Sequence, residues 1–309
     1  MRRLISAAVG VLLAFAALAQ EGVAPDAHQF PQDTFVNRNP YVVEGDNAFG
    51  RRQEGRVGAV ASPRPIAEAI RSYQTAAEAP DNLEARWKLL RAFVFKGLYT
   101  GLDAESRQAV FERARRVADD AVAILARRVG RGGGPDLLSL DPSARAEALA
   151  KEHDAVATFY WGAVCWGQWA LAVGKDRAAT TGVAERIRDD AATVVAIDPT
   201  FEDGGGYRVL GRLHDQAPEI PFVTAWVSRS EALRNLRLAV SVGGRNNLNN
   251  RHFLAEALAR GTPEERAEAI RIEEGVIREA PSPGHLVEDL ATQDQARADL
   301  DRWRKPAGS

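Results

Sequence analysis

Cysteine is nearly missing: Cys165 is the only one in 309 residues, so no intramolecular disulfide can staple the fold and no thiolate zinc site can form. It lies in the apolar stretch 159–169, where a thiol is expected to be buried and inert. A surplus of one charge is also missing. Lys and Arg number 40 against 42 Asp and Glu, for a net charge of −2, which provides no basic field for binding a nucleic-acid backbone. Local runs such as Arg113, Arg115 and Arg116 read as solvated helix faces. Long apolar runs are confined to the start. Arg2 and Arg3 precede an apolar stretch from Leu4 to Ala16 and the small-residue site Ala17-Leu18-Ala19, the pattern of a secretory signal peptide over 1–19. The stretch is shorter than the roughly 20 residues a spanning helix needs. Gln20 is the expected new terminus, the product is expected to be periplasmic or secreted without a transmembrane span, and no lipidation Cys follows the cleavage site.

Catalytic signatures are missing too. The histidines, at 28, 153, 214, 252 and 285, make no His-Glu-x-x-His or other short ligand spacing, and no Gly-x-Ser-x-Gly elbow occurs. The glycines from 204 to 206 expose amides at a helix start, but no strand precedes them and no Gly-Lys-Ser/Thr follows, so they read as a helix entry and not as a phosphate cradle. Acid pairs such as Asp119-Asp120, Asp189-Asp190 and Glu273-Glu274 stand beside arginines, where ion pairing is the usual role. No catalytic residue, metal or cofactor is expected, and a non-enzymatic protein is.

What is present is helical periodicity. Hydrophobic residues make up 45% and charged residues 27%, a balance that folds. Residues 20–63 carry Pro25, Pro31, Pro40 and many Gly, Asn and Asp and read as an irregular N-terminal segment. From 64 to 309, apolar residues recur at helical spacing, and strand signals are nearly absent. This predicts about ten helices, over 65–79, 83–98, 103–128, 146–173, 179–196, 205–215, 228–241, 249–260, 264–279 and 284–303. Asp81 with Glu84, and Thr262-Pro263 with Glu265, have capping-box spacing. The stretch 130–141, rich in glycine, reads as a flexible loop.

The helices group as tetratricopeptide-like hairpins, about 34 residues each, with large residues on the first helix and small ones where the two cross. Tyr207, Leu210 and Gly211 pair with Ala232, Leu236 and Ala239; Trp87 and Leu90 with Ala114, Ala118 and Ala121; Leu254 and Ala255 with Ala269. The last helix, around Leu286, Leu290, Leu300 and Trp303, looks like a polar-faced cap. The fold class expected is therefore all-α, a tetratricopeptide-like helical-hairpin array or α-solenoid.

The stretch from Ile197 to Leu213, with Asp198-Pro199, Gly204-Gly205-Gly206-Tyr207 and Leu210-Gly211, followed by Ala217-Pro218 and Pro221, and preceded by Phe159-Tyr160-Trp161-Gly162-Ala163, resembles the T-component family of TRAP transporters. The resemblance spans roughly residues 80–280 and implies a helical scaffold around a central pore or groove that docks on a solute receptor serving a membrane permease; the expectation is a periplasmic scaffold that binds such a receptor, a small organic ligand, or both. Members of that family are typically lipoproteins, and this chain departs from them there. An exported adaptor binding a peptide or helix on a concave face is the alternative.

Candidate binding residues follow from the aromatic helix and the segments after it. Phe159, Ala163, Trp166, Trp169, Ala170 and Val173 share one face, while Tyr160, Trp161 and Cys165 point elsewhere. A helix apolar nearly all round is either buried or lines a cavity. Tyr160, Trp161, Trp166 and Trp169 are the aromatic candidates; Tyr207, Arg208 and Arg212 follow on the next helix, and Asn250 and His252 among the asparagines that open a later one.

Overall fold

The helical periodicity becomes twelve α-helices in the computed structural model, which describes residues 39–131, 133–174, 178, 180–220, 224–244 and 247–305. They are α1 Pro40–Gly50, α2 Pro63–Ala77, α3 Leu83–Tyr99, α4 Ala104–Arg131, α5 Pro142–Ala148, α6 Ala155–Val173, α7 Val183–Ile197, α8 Phe201–Gln216, α9 Arg229–Gly243, α10 Leu248–Leu258, α11 Pro263–Arg278 and α12 Leu286–Trp303. Among the described residues there is no strand, only an isolated bridge between Val57 and Val60. No helix among them is long and apolar enough to cross a membrane. The expected signal peptide lies outside the described residues.

Side-chain caps set several boundaries. Asp141 accepts from Ser143 N at 2.9 Å and Ala144 N at 3.1 Å, which starts α5 before the expected position. Thr262 and Glu265 form the reciprocal capping box that their spacing predicts. At α3 the cap is Asn82, accepting from Ala85 N at 3.0 Å, and not Asp81. The stretch expected as one helix over 146–173 breaks into α5 and α6.

The irregular segment expected over 20–63 contains a helix, α1, so the helical body begins before residue 64. Gly45, Asp46 and Asn47 weaken its local propensity; tertiary contacts decide the outcome. A Cβ on Gly45 would sit 2.4 Å from Tyr73 Cε1, so only glycine lets α1 lie this close to α2. The Tyr73 hydroxyl then donates to Asp46 Oδ1 at 2.8 Å. The loop after α4 is anchored as well. Leu137 is fully buried in a 3-10 turn, and buried Arg145 donates to Leu137 O at 3.3 Å and Leu140 O at 3.1 Å.

Most consecutive helices pack on one another along the chain, with the closest association between α8 and α9; the short α5 packs on α7 instead, and α4 meets α6. A Cβ on Gly211 would fall 2.6 Å from Leu236 Cγ, and Ala232, Leu236 and Ala239 are buried around that crossing. Small residues elsewhere serve the same purpose: Ala114, Ala118, Ala121, Ala255 and Ala269 are fully buried. The chain also returns to the turn after α1. Arg52 donates to Gly284 O at 2.5 Å and to Glu288 Oε1 at 3.0 Å, and Gln53 Oε1 accepts from Val287 N at 3.1 Å.

Candidate functional site

Helix α6 carries most of the aromatic candidates, and its faces differ in access. Phe159, Tyr160, Ala163, Cys165, Trp166 and Trp169 are buried. Trp161, Val164 and Gln168 are half-buried and Leu171 is exposed; at intervals of three and four they form one stripe along the helix. Val209 and Leu213 of α8, with Tyr99 at the end of α3, border the same core as Trp161 and Val164 and are also half-buried. The result is an apolar strip with solvent access on one side. Trp161 contributes its only polar group there: the indole Nε1 is buried and finds no acceptor among the described residues. An N–H of this kind normally has a partner.

Tyr160, adjacent in sequence, belongs to a polar knot at the edge of the strip. Arg208 donates to the Tyr160 hydroxyl, to Asn250 Oδ1 at 2.8 Å and to Glu202 O at 3.2 Å. Asn250, fully buried, donates in turn to Asp203 O and Ala239 O, each at 2.8 Å. Burial raises the Tyr160 hydroxyl above the ordinary phenol range even with Arg208 beside it. Burial works against the Arg208 charge, yet Tyr160, Glu202 and Asp203 around it raise its pKa overall. The knot depends on an unusual backbone: Glu202, Asp203 and Gly204 all adopt left-handed conformations, with φ of 49°, 56° and 78°. That turn aims the Asp203 carbonyl at Asn250. Tyr160, Arg208 and Asn250 are therefore brought together, but their hydrogen bonds are spent on one another.

Trp166 and Trp169 sit elsewhere. Their rings meet edge to face at 5.5 Å, Arg115 lies over both at 5.2 and 5.0 Å, and Arg186 covers Trp166 at 4.7 Å. Trp169 Nε1 donates to Glu112 Oε2 at 2.7 Å; with Arg115, this bond holds the Glu112 carboxyl below its usual range. Both tryptophans belong to the core between α4, α6 and α7. Tyr207 is half-buried and belongs to none of these groups.

Arg212 and His252 meet in a third group through Glu256. Arg212 Nη1 donates to Glu256 Oε2 at 2.6 Å and stacks over Phe253 at 4.1 Å. His252 Nδ1 lies 2.7 Å from Glu273 Oε1, and its Nε2 lies 3.8 Å from Glu256 Oε2. Asp299 completes the cluster: one ligand atom each from His252, Glu256 and Asp299 lies within 4.8 Å of the other two. Burial raises both the Glu273 and the Asp299 carboxyls. Burial opposes a charged His252, but Glu273, Glu256 and Asp299 raise its pKa above the ordinary imidazole value.

Sequence reasoning missed Tyr99, Val209 and Leu213 in the strip, and Glu256, Glu273 and Asp299 in the histidine cluster. Only the spacing of His252 and Glu256, four apart on one helix, was a readable signal. A cavity of about 440 Å³ between α9, α10 and α11, lined by Val240, Arg251, Leu254, Glu268, Arg271 and Ile272, contains none of the expected residues. No protein-family model matches the chain, and no curated protein matches it.

Proposed function

We propose that this chain is a non-enzymatic binding scaffold that holds a small organic ligand along the strip formed by Trp161, Val164, Val209 and Leu213. The buried, unpartnered indole N–H of Trp161 on a half-buried ring carries this reading; Trp166 has an unpaired N–H as well, but its ring is buried under Arg115 and Arg186. A ligand with an apolar body and one acceptor oxygen matches the strip, since burying apolar area supplies affinity and the single polar contact fixes orientation. The all-helical architecture, with most consecutive helices packed and small residues at the crossings, supports a tetratricopeptide-like hairpin array as the scaffold. Together with the resemblance of residues 197–213, this favours a periplasmic partner of a solute-binding receptor in a TRAP-type transport system, delivered by the signal-peptide pattern of residues 1–19.

The test is native mass spectrometry of the chain purified from periplasm, compared with its denatured form. A small molecule released on denaturation, and lost from a folded Trp161→Phe variant, supports the reading. Equal retention by that variant overturns the strip as the site. Recovery of a bound protein or peptide in place of a small molecule favours the adaptor reading.

A further inference from the structure

The geometry points to a site for one divalent transition-metal ion, of the Zn2+ and Co2+ type, formed by His252, Glu256 and Asp299 with Glu273 positioning the imidazole. This inference is independent of the strip on α6 and α8. Helix α10 places His252 and Glu256 one turn apart on one face, α11 brings Glu273, and α12 brings Asp299 from the far end of the chain.

Three features distinguish the cluster from surface acids. His252, Glu273 and Asp299 are 2%, 0% and 5% exposed, so their charges are not bathed by water and need partners. The imidazole is already oriented. With Nδ1–H donating to Glu273 Oε1 at 2.7 Å, the lone pair of Nε2 is directed at the Glu256 side of the cluster, the carboxylate–histidine arrangement that fixes metal-ligating imidazoles. Finally, Asp299 is satisfied on one oxygen alone: Arg302 donates to Oδ1, while Oδ2 is buried without a hydrogen-bond partner among the described residues, in a side chain that brings a ligand atom within 4.8 Å of those of His252 and Glu256. An unpaired buried carboxylate oxygen is costly, and a cation satisfies it.

The donor set selects the ion. One imidazole nitrogen and two carboxylate oxygens suit Zn2+, Co2+ or Mn2+, whereas thiophilic ions prefer sulfur and Ca2+ needs six or more oxygens. Tetrahedral bonds of about 2.0–2.1 Å place donors roughly 3.3 Å apart. The His252–Glu256 separation of 3.8 Å closes to that by rotation of the half-buried Glu256 carboxylate, whose Oε2 also accepts from Arg212 Nη1 at 2.6 Å, so the ion takes its place beside or instead of that guanidinium. A bound ion would tie α10 to α12. The competing arrangement is a protonated imidazole bridging Glu273 and Glu256 with no metal.

The experiment uses the full chain without a histidine tag, stripped with chelator and titrated with Co2+ and then Zn2+, read by visible absorption and elemental analysis after dialysis. The expected result is one Co2+ per chain with ligand-field bands, displaced by Zn2+. Affinity should fall about tenfold or more in Asp299→Asn and in Glu256→Gln, and about tenfold in Glu273→Gln with stoichiometry kept. Glu268→Gln, outside the cluster, should bind as the parent does. Circular dichroism checks folding; if Asp299→Asn does not fold, half-buried Glu256→Gln still decides. No retained metal, or retention unchanged in Glu256→Gln, overturns the site and leaves the protonated pair.

Discussion

Helices α2 to α7 and helices α8 to α12 are held by different physics. In the first region the core is aromatic and large: Tyr73, Phe93, Phe111 and Phe159 are at most 1% exposed, and Trp87, Trp166 and Trp169 surround them. In the second, the apolar clusters are small and aliphatic, built on Leu236, Leu254 and Leu258 and on Leu248, Val276 and Ala296. Side-chain amides fill the difference. Gln293 Nε2 donates to the carbonyls of Val276, Ile277 and Glu279 at 3.0, 3.3 and 2.8 Å, satisfying the free end of α11, as Asn250 satisfies Asp203 and Ala239. Apolar packing is non-directional and tolerates volume-conserving exchange. Hydrogen-bonded locks do not, because a lost partner leaves a buried group unpaired. The first region should therefore answer to volume and the second to chemistry.

The largest effect should come from volume in the first region. Phe111→Ala removes a fully buried ring and should cost about 3–5 kcal/mol in urea unfolding. The opposite error, Gly97→Ala, places a Cβ 2.4 Å from Phe111 Cζ and should cost about 1–3 kcal/mol by overpacking. In the second region, Asn250→Ala should cost about 2–3 kcal/mol, since it orphans two carbonyls and one Arg208 bond. Leu236→Val nearby should cost about 1 kcal/mol. If the two rank the other way in the same assay, the second region is held by packing after all and the contrast fails.

The contrast also explains what could be read from sequence. Apolar periodicity and small residues at the crossings, such as Ala114, Ala118 and Gly211, are local signals and located nearly every helix. α1 escaped because its stability comes from Tyr73 meeting Gly45, a contact across the loop between α1 and α2 that propensity does not record. In the candidate strip, Trp161 was legible as an aromatic on an apolar helix, but nothing local showed that it, and not Trp166 or Trp169, keeps access to solvent. That is decided by Arg115, Arg186 and Glu112 covering the other two. The polar locks were the least legible. Asn250 reads as a turn residue, and the left-handed run from Glu202 to Gly204 that delivers its acceptor looks like an ordinary helix start. Asp299 meets His252 only through the packing of α12.

The first region also buries charged groups, Arg86, Lys88 and Arg145 among them, and its buried acid, Asp190, gives the smallest and most diagnostic test. Asp190 is 5% exposed, with Arg145 Nη1 at 3.7 Å from Oδ1 and Arg186 Nε at 3.6 Å from Oδ2. Burial raises its pKa from 3.8 to about 7 against the pull of Arg186 and Arg145, and Asp189 adds to the rise. Above about pH 4 the unfolded chain has released this proton while the folded chain keeps it up to about pH 7. The folded state then binds more protons, so stability falls as pH rises through this window. The penalty is absent below the window and complete above it. Asp190→Asn removes the titration, and the stability difference between variant and parent should shift in favour of the variant by about 1 kcal/mol from pH 5 to pH 6 in urea unfolding. Groups shared by both proteins cancel in that difference. A difference that stays constant with pH would mean that Arg145 and Arg186 hold Asp190 ionised, so that an ion pair of the kind found in the second region also locks the loop of Leu137 and Leu140 onto the aromatic core.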